Sequence, residues 1–346
     1  MHYCGTTYFT FRIMRFVPYD QATIPNIVVD GSANDHTVLT LSHWPQSGTP
    51  QELKADTSAE IAFNYLDSPR FHVECDAVTN NHFDQDGLVG VYALLDPINA
   101  TRHRDFLIDV ASAGDFGVFK SRDAARIAFV ISTFADPATS PLPAEILHLP
   151  YPRFAVELYE RVLAFLPRLI EKPEEFKAYW QDEDFAFAES EELVKKGTIA
   201  IEEISDLDLA VVHLPEVLFE GRIHRFASAQ RSLCHPLAIY NATDCTRILQ
   251  IQGQHVEFQY RYETWVQFVS RRPPARIDLA ALADELNLEE TGGKWSFDGV
   301  DAITPRLHLE GKKESAIPVD VIRRRLEQHL VTGAPAWDPH APAHER

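Results

Sequence analysis

The hydrophobic pattern of the 346-residue chain changes period near residue 198, and this change limits the fold more than any other feature. Before it, short β-branched runs at residues 27–30 and 37–42 alternate with segments of helical period. Such alternation is typical of helices around a parallel sheet. After it, apolar residues recur at every second position in one run after another. The sequence therefore predicts an α/β fold, with an N-terminal, mostly parallel sheet flanked by helices and a smaller C-terminal α+β domain.

The same change of period predicts the domain boundaries. Residues 14–197 would form the α/β domain together with a helical linker, and residues 198–332 the C-terminal α+β domain. Residues 1–13 are interpreted as an N-terminal extension. The Pro-rich residues 333–346 are predicted to be a disordered tail.

Local signals predict where individual elements begin and end. Thr57 and Glu60 form a capping box that predicts a helix start, and Gly253 with Gln254 predicts a hairpin turn. In the first domain, strands are predicted at residues 27–30, 37–42, 72–75, 77–79 and 106–110. In the second domain, they are predicted at residues 199–204, 208–214, 237–240, 247–251, 255–269 and 306–309.

Three potential metal ligands lie within five residues, just after the strand predicted at 77–79. His82, Asp84 and Asp86 occupy alternate positions, so in an extended segment their side chains would project to one side. Gly87 gives the backbone freedom to turn into an apolar helix, whose first N–H groups favour an anion. The same pattern also suits an ordinary helix start in which an Asp side chain caps those N–H groups. The motif therefore predicts either a cation site or a capped turn.

Further candidate ligands follow other predicted strands. Asp109 would end the strand at 106–110, and Asp115 follows it within a Gly-Asp segment. His43 follows the strand at 37–42, where it is either a further metal ligand or an ordinary surface or core histidine. Binding sites of open parallel sheets collect at the carboxyl ends of the strands. These residues therefore reach one edge if their strands are neighbours.

Basic and glycine-rich segments of the second domain are candidates for binding an anion. Arg271 and Arg272 end a predicted strand run, and Gly292, Gly293 and Lys294 form a loop that can bring N–H groups near a phosphate. Arginine suits phosphate because its planar fork meets two oxygens at once. The alternatives are that the arginines pair with surface carboxylates and that the loop is a plain connection.

The order of these motifs resembles that of the DHH phosphoesterase superfamily. The strand leading into His82, Asp84 and Asp86 is similar to the first motif of that superfamily, and the Gly-Asp segment at Asp115 is similar to a later one. The arginine-bearing strand end followed by a glycine-rich loop resembles the associated C-terminal domain. The whole chain is also similar to an uncharacterised bacterial family with no assigned activity.

The DHH resemblance implies a phosphohydrolase that uses one or two Mn²⁺ or Mg²⁺ ions, with two domains closing over a small phosphorylated substrate or a short single-stranded oligonucleotide. It implies the metal ligands His82, Asp84, Asp86, Asp109 and Asp115, of which Asp84, Asp86 and Asp115 would carry catalysis. It implies the substrate-binding residues Arg271, Arg272, Gly292, Gly293 and Lys294.

The chain departs from that superfamily at the triplet that names it. Asp109 is followed by Val110 and Ala111 instead of two histidines. Two alternatives to a phosphoesterase therefore stay open. One is a catalytically degenerate module that binds a nucleotide or phosphate. The other is a structural protein in which Asp84 and Asp86 only cap a helix.

Composition limits which classes of partner and which cellular compartment are expected. A formal charge of −19 argues against a protein that grips duplex DNA, since phosphate binding needs clustered Lys and Arg. The four cysteines form no Cys-x-x-Cys pair, which favours a reducing cytoplasm. No apolar run approaches the roughly 20 residues that span a bilayer, so no membrane partner is expected. A homodimer stays an open alternative for the oligomeric state.

Overall fold

The computed structural model describes residues 14–216 and 234–341. The extension predicted at residues 1–13 lies outside the described residues. The helices, strands and strand pairs counted for this protein are those of the described residues.

The N-terminal part is built on a four-stranded sheet in which every strand pair is parallel. Its strands are β1 (Arg15–Phe16), β2 (Asn26–Val29), β3 (Thr37–Leu41) and β4 (Ala77–Thr79), in the order β1–β4–β2–β3. The predicted parallel sheet and its strands at 27–30, 37–42 and 77–79 are confirmed. The strand predicted at 72–75 is wrong, because these residues form no strand.

Eight helices follow the strands of this part. They are α1 (Ser58–Leu66), α2 (Gln85–Leu95), α3 (Pro97–Arg102), α4 (Arg104–Asp115), α5 (Arg122–Ala135), α6 (Ala144–Leu147), α7 (Tyr151–Glu171) and α8 (Gln181–Lys195). The predicted cap is confirmed, since the Thr57 side chain accepts a hydrogen bond from the N–H group of Glu60 at 3.1 Å.

The strand predicted at 106–110 is wrong, because these residues lie within α4. The run is short and apolar, and such a run fits a strand or a buried helix equally well by local period. The buried positions Leu107, Val110, Ala111 and Gly114 recur at helical spacing and face the core.

The C-terminal part contains a mixed six-stranded sheet and a two-stranded ribbon. The strands are β5 (Ala200–Ile204), β6 (Leu209–His213), β7 (Arg247–Gln252), β8 (His255–Tyr260), β9 (Arg276–Ile277), β10 (Lys294–Phe297), β11 (Arg306–Glu310) and β12 (Pro335–Trp337). The larger sheet has the order β10–β11–β8–β7–β6–β5, in which β6 and β7 alone are parallel. Three helices complete this part: α9 (Pro236–Tyr240), α10 (Ala280–Asn287) and α11 (Val319–Thr332).

Several sequence predictions for the C-terminal part are corrected by these elements. Residues 237–240 are helical, and the strand that begins at His255 ends at Tyr260, where a short 3₁₀ turn (Tyr262–Thr264) follows. Within the predicted tail, Pro335–Trp337 form β12, which pairs antiparallel with β9, and the tail as a whole stays a prediction. The predicted hairpin turn is confirmed, with Gly253 at φ +57° between β7 and β8.

The neighbouring strands β6 and β7 of the six-stranded sheet are buried on both faces, each face against a different core. Ala210 and Val212 of β6 belong to the core that holds the N-terminal helices. Leu209 and Val211 belong to a second core with α10 and α11. Because alternate residues of a strand point to opposite faces, this sheet is packed between the N-terminal part and the C-terminal helices. The division at residue 198 stays a prediction, since the first core continues past it.

Candidate metal centre

The carboxyl ends of three neighbouring strands bring acidic and histidine side chains together. Asp30 follows β2, His43 follows β3 after one residue, and His82 comes shortly after β4. These strands are parallel and adjacent, so their ends meet at one edge of the sheet. Helix α2 begins at this edge and adds Asp84, its N-cap residue, and Asp86 from its first turn.

Two groups of these side chains could each hold a metal ion. In the first, Asp30, His43 and Asp86 are fully buried, and their ligand atoms lie within 4.8 Å of one another. In the second, the ligand atoms of Asp30, His82 and Asp84 also lie within 4.8 Å of one another. The His82 Nε2 atom is 3.1 Å from the Asp30 Oδ2 atom and 3.1 Å from the Asp84 Oδ2 atom. The His82 and Asp84 side chains are 22% and 21% exposed, so the second group is the one that reaches the surface.

Asp30 is shared by the two groups through different oxygens. Its Oδ1 atom lies 3.5 Å from the His43 Nε2 atom, while its Oδ2 atom faces His82. The Ser58 hydroxyl donates a 2.8 Å hydrogen bond to Oδ1. The backbone of Asp30 has φ +51°, in the left-handed region that non-glycine residues rarely adopt. Such strain is found at functional sites, where the surrounding structure holds it in place.

His43 is oriented with one nitrogen towards the carboxylates. Its Nδ1 atom lies 2.6 Å from the carbonyl oxygen of Asp56, which can only accept, so Nδ1 carries the hydrogen. Its Nε2 atom faces the carboxylates of Asp30, Asp86 and Asp115 at 3.5, 3.9 and 3.6 Å. Burial lowers the pKa of His43, which favours the neutral ring that binds metals. A carbonyl behind a histidine is the usual support of a metal ligand.

The two aspartates of α2 act as helix caps and also face the cluster. Asp86 accepts hydrogen bonds at 2.7 Å from the N–H groups of Ser58 and Ala59, at the start of α1. Asp84 accepts one at 2.9 Å from the N–H group of Gly87. The same two aspartates therefore act as helix caps and belong to the ligand groups. A Cβ atom at Gly87 would lie 2.2 Å from the Asn80 Nδ2 atom, so only glycine fits here.

The crowding of carboxylates changes the pKa values of their neighbours. Burial and the charges of Asp30 and Asp84 raise the pKa of Asp86 well above its usual range. Burial favours the neutral form of His82, but the adjacent Asp84 and Asp30 outweigh this and raise its pKa to about 12. A cation at the cluster would therefore compete with protons for both groups.

The C-terminal part supplies one side of the cluster. The Tyr262 hydroxyl lies 3.3 Å from the His43 Nε2 atom, and burial together with Asp115 raises its pKa well above its usual range. The indole ring of Trp44 stacks on the His82 ring at 5.2 Å and meets Trp265 edge-on at 5.5 Å. Trp44 thus borders the more exposed ligand group and is itself packed against Trp265 of the C-terminal part.

The structure separates the two aspartates predicted from α4. The Oδ2 atom of Asp115 is at the cluster, 3.6 Å from His43 Nε2. Asp109 belongs to neither ligand group, because both of its oxygens accept hydrogen bonds at 2.7 Å from the N–H groups of Lys120 and Ser121. It holds the backbone of the two residues just before α5, a role that follows from its position in a helix instead of the predicted strand.

The predicted substrate-binding residues have contacts within the C-terminal part. Arg271 pairs with Asp208 and donates to the Asp244 carbonyl, and Arg272 pairs with Asp338. Gly292 has φ +76° in the turn before β10, and Gly293 packs against Leu309 and Lys312. Lys294 lies opposite Glu310 in the antiparallel pair of strands β10 and β11. Their role towards a substrate stays a prediction.

Sequence reasoning missed two residues of the cluster. Asp30 was placed only as the end of a strand, although it has the same signal as His43, a ligand type directly after a parallel strand. Tyr262 has no local signal, since it reaches His43 only through the packing of residues distant in sequence.

The model of a family of unknown function, DUF6687, matches residues 12–341 of the chain. No curated protein and no solved structure matches significantly. These comparisons provide no link to the DHH superfamily. Among the residues that the structure describes, no helix is long and apolar enough to cross a membrane.

Proposed function

The chain belongs to DUF6687, a family of unknown function, and from its own geometry we propose that it is a metal-dependent phosphoester hydrolase. The observation that carries this proposal is the sharing of Asp30 between two ligand groups. A carboxylate that presents one oxygen to each of two groups is the arrangement of a bridged two-ion site, and such sites serve phosphatases and nucleases.

Charge balance supports the presence of a cation. Asp30 and Asp86 are 1% and 0% exposed, and among the described residues their ion-pair partners are His43 and His82. Buried carboxylates are costly unless they are paired or bind a metal. Burial lowers the pKa of His43, so its neutral ring offsets little of this charge, and His82 faces both Asp30 and Asp84. A divalent ion would offset it and would use the same atoms.

The ligand types favour Mn²⁺ or Mg²⁺. Carboxylates suit both ions, and the imidazoles favour a transition metal such as Mn²⁺. Asp30, His43 and Asp86 would hold one ion, and Asp30, His82 and Asp84 the other. When bound, such ions polarise phosphoryl oxygens and make a bound water acidic. The 3.6 Å approach of Asp115 to His43 supports an added role for Asp115 at the first ion.

The exposure of the second group supports a small substrate. His82 and Asp84 are partly open, whereas the first group is closed to solvent. Trp44 and Trp265 border this opening. We propose a small nucleotide, an oligophosphate or the end of a short single-stranded oligonucleotide. Arg271, Arg272 and the loop at Lys294 would hold its phosphates when the C-terminal part closes on it.

Metal binding and turnover test the proposal separately. Mn²⁺ is titrated calorimetrically into chelator-treated protein, and hydrolysis is followed with Mn²⁺ on bis(p-nitrophenyl) phosphate, dinucleotides and polyphosphate. We expect tight Mn²⁺ binding and turnover of at least one ester or anhydride. Binding of Mn²⁺ and phosphate without turnover would instead support a degenerate binding module, which the missing histidines after Asp109 favour. No Mn²⁺ binding would mean that the cluster is structural.

A further inference from the structure

We infer that Tyr262 donates a hydrogen bond from its hydroxyl to an oxygen of the anion bound at the metal centre. This inference rests on the proposed function and adds to it a contact from the C-terminal part. Tyr262 is at the cluster because its hydroxyl lies 3.3 Å from the His43 Nε2 atom. Its ring also meets the His43 ring edge-on, with centroids 5.7 Å apart.

The hydrogen bonds of His43 show why the tyrosine would be free to donate. The Nδ1 hydrogen points to the Asp56 carbonyl, so the lone pair is on Nε2, the atom that Tyr262 faces. An ion bound at Nε2 takes that lone pair. The Tyr262 hydroxyl then loses its acceptor on the ring while it stays beside the ion. A phosphate that enters beside the partly exposed His82 and Asp84 would present an oxygen acceptor at that place.

The segment that carries Tyr262 is held against the same residues that position His43. The Gln267 N–H group donates to the His43 carbonyl at 2.8 Å. The N–H groups of Val269 and Ser270 donate to the Asp56 Oδ1 atom at 2.7 and 2.8 Å. Asp56 therefore anchors this segment through its side chain and orients His43 through its carbonyl. The hydroxyl is pre-positioned, which reduces the entropy lost when it binds a ligand.

The test compares the parent with Tyr262→Phe, using Mn²⁺ and inorganic phosphate as probes. Calorimetry gives the Mn²⁺ affinity of each protein, and then the phosphate affinity of each Mn²⁺-loaded protein. We expect the Mn²⁺ affinity to change by less than about 3-fold and the phosphate affinity to fall by roughly 10-fold or more, as for the loss of one hydrogen bond to a charged group. A thermal melt of each sample checks that the variant is folded.

Tyr260→Phe is the matched control. Tyr260 is a buried tyrosine two residues away, and its hydroxyl donates to the Ile277 carbonyl and accepts from the Ile277 N–H group, both at 3.0 Å. We expect this variant to lose some stability and to keep both affinities.

Three results would overturn the inference and leave Mn²⁺ binding by the parent intact. Equal phosphate affinity in the parent and Tyr262→Phe would show that the hydroxyl does not reach the anion. A large loss of Mn²⁺ affinity in Tyr262→Phe would make Tyr262 a metal ligand or a support of His43. A parent that binds Mn²⁺ but no phosphate would also exclude it. Failure of the parent to bind Mn²⁺ would overturn the proposed function itself, and the inference with it.

Discussion

The Nε2 atom of His43 lies 3.5 Å from the Oδ1 atom of Asp30, across the carboxyl ends of the neighbouring parallel strands β3 and β2. The other oxygen of Asp30 lies 3.1 Å from His82, which follows β4 on the far side of β2. Asp30 therefore links the ends of three strands. A change at this residue is expected to affect both ligand groups, whereas a change at His43 or His82 affects one.

Asp30→Asn is expected to weaken Mn²⁺ binding by at least about 100-fold, because both groups lose the charge that they share. The control is Asp109→Asn, a buried aspartate outside both ligand groups whose oxygens accept backbone hydrogen bonds from Lys120 and Ser121. It should lose about 1 kcal/mol of stability through a weakened hydrogen bond and keep the metal. Calorimetric Mn²⁺ titration with a melt of each variant measures both effects. Unchanged Mn²⁺ binding in Asp30→Asn would remove the shared site.

Asp84→Asn is expected to bind one Mn²⁺ fewer than the parent. Asp84 belongs to the partly exposed group alone, and asparagine still caps a helix well, so the fold should be retained. Asp86→Asn should lose the ion of the buried group instead. Metal analysis of dialysed protein gives the number of ions per chain. The same ion count in both variants and the parent would contradict the division into two groups.

Mn²⁺ affinity is expected to rise with pH and binding to release protons. Burial and neighbouring carboxylates raise the pKa of Asp86, and Asp84 and Asp30 raise that of His82 to about 12. Protons on these groups compete with the ion, and fewer remain as pH increases. Calorimetry in two buffers of different ionisation enthalpy counts the released protons. Binding with no proton release, and with equal affinity at pH 6 and pH 8, would be inconsistent with this account.

The Arg271→Ala/Arg272→Ala double variant is expected to weaken binding of a small nucleotide or oligophosphate without removing the metal. Both arginines are exposed and already paired with carboxylates, so the loss should be modest, on the order of 10-fold. Calorimetry with Mn²⁺ present measures the ligand affinity. Arg324→Ala, which removes a distant exposed arginine paired with Asp320, is the control. Equal affinity in the double variant and the parent would exclude the phosphate clamp.

Gly87→Ala is expected to destabilise the metal-free protein by roughly 1–3 kcal/mol, because its Cβ atom would collide with the Asn80 side chain and approach the Tyr159 hydroxyl. The displaced N-terminus of α2 should also lower Mn²⁺ affinity. Urea unfolding and metal titration provide the two readouts. Gly197→Ala strains a positive φ with nothing within 4 Å of the new Cβ atom, so it should leave Mn²⁺ affinity unchanged. A Gly87→Ala protein as stable as the parent would show that the new Cβ atom does not collide with the Asn80 side chain.

The sequence alone predicted the class of fold and three residues of the candidate metal centre. The alternation of strand and helical periods predicted the parallel sheet, and the capping box at Thr57 predicted the start of α1. His82, Asp84 and Asp86 were found because their spacing is local and they follow a strand directly. These features depend on residues a few positions apart, and local period records such relations well.

Only the tertiary structure decided which other residues join them. The strand order β1–β4–β2–β3 places Asp30 and His43 beside His82, and the packing of the C-terminal part places Tyr262 there. Residues 106–110 lie in helix α4, which packs against α2 and α5, so Asp109 binds the backbone just before α5 while Asp115 lies at the cluster. These outcomes depend on which surfaces are buried against each other across long sequence separations. Local periodicity contains no record of that choice.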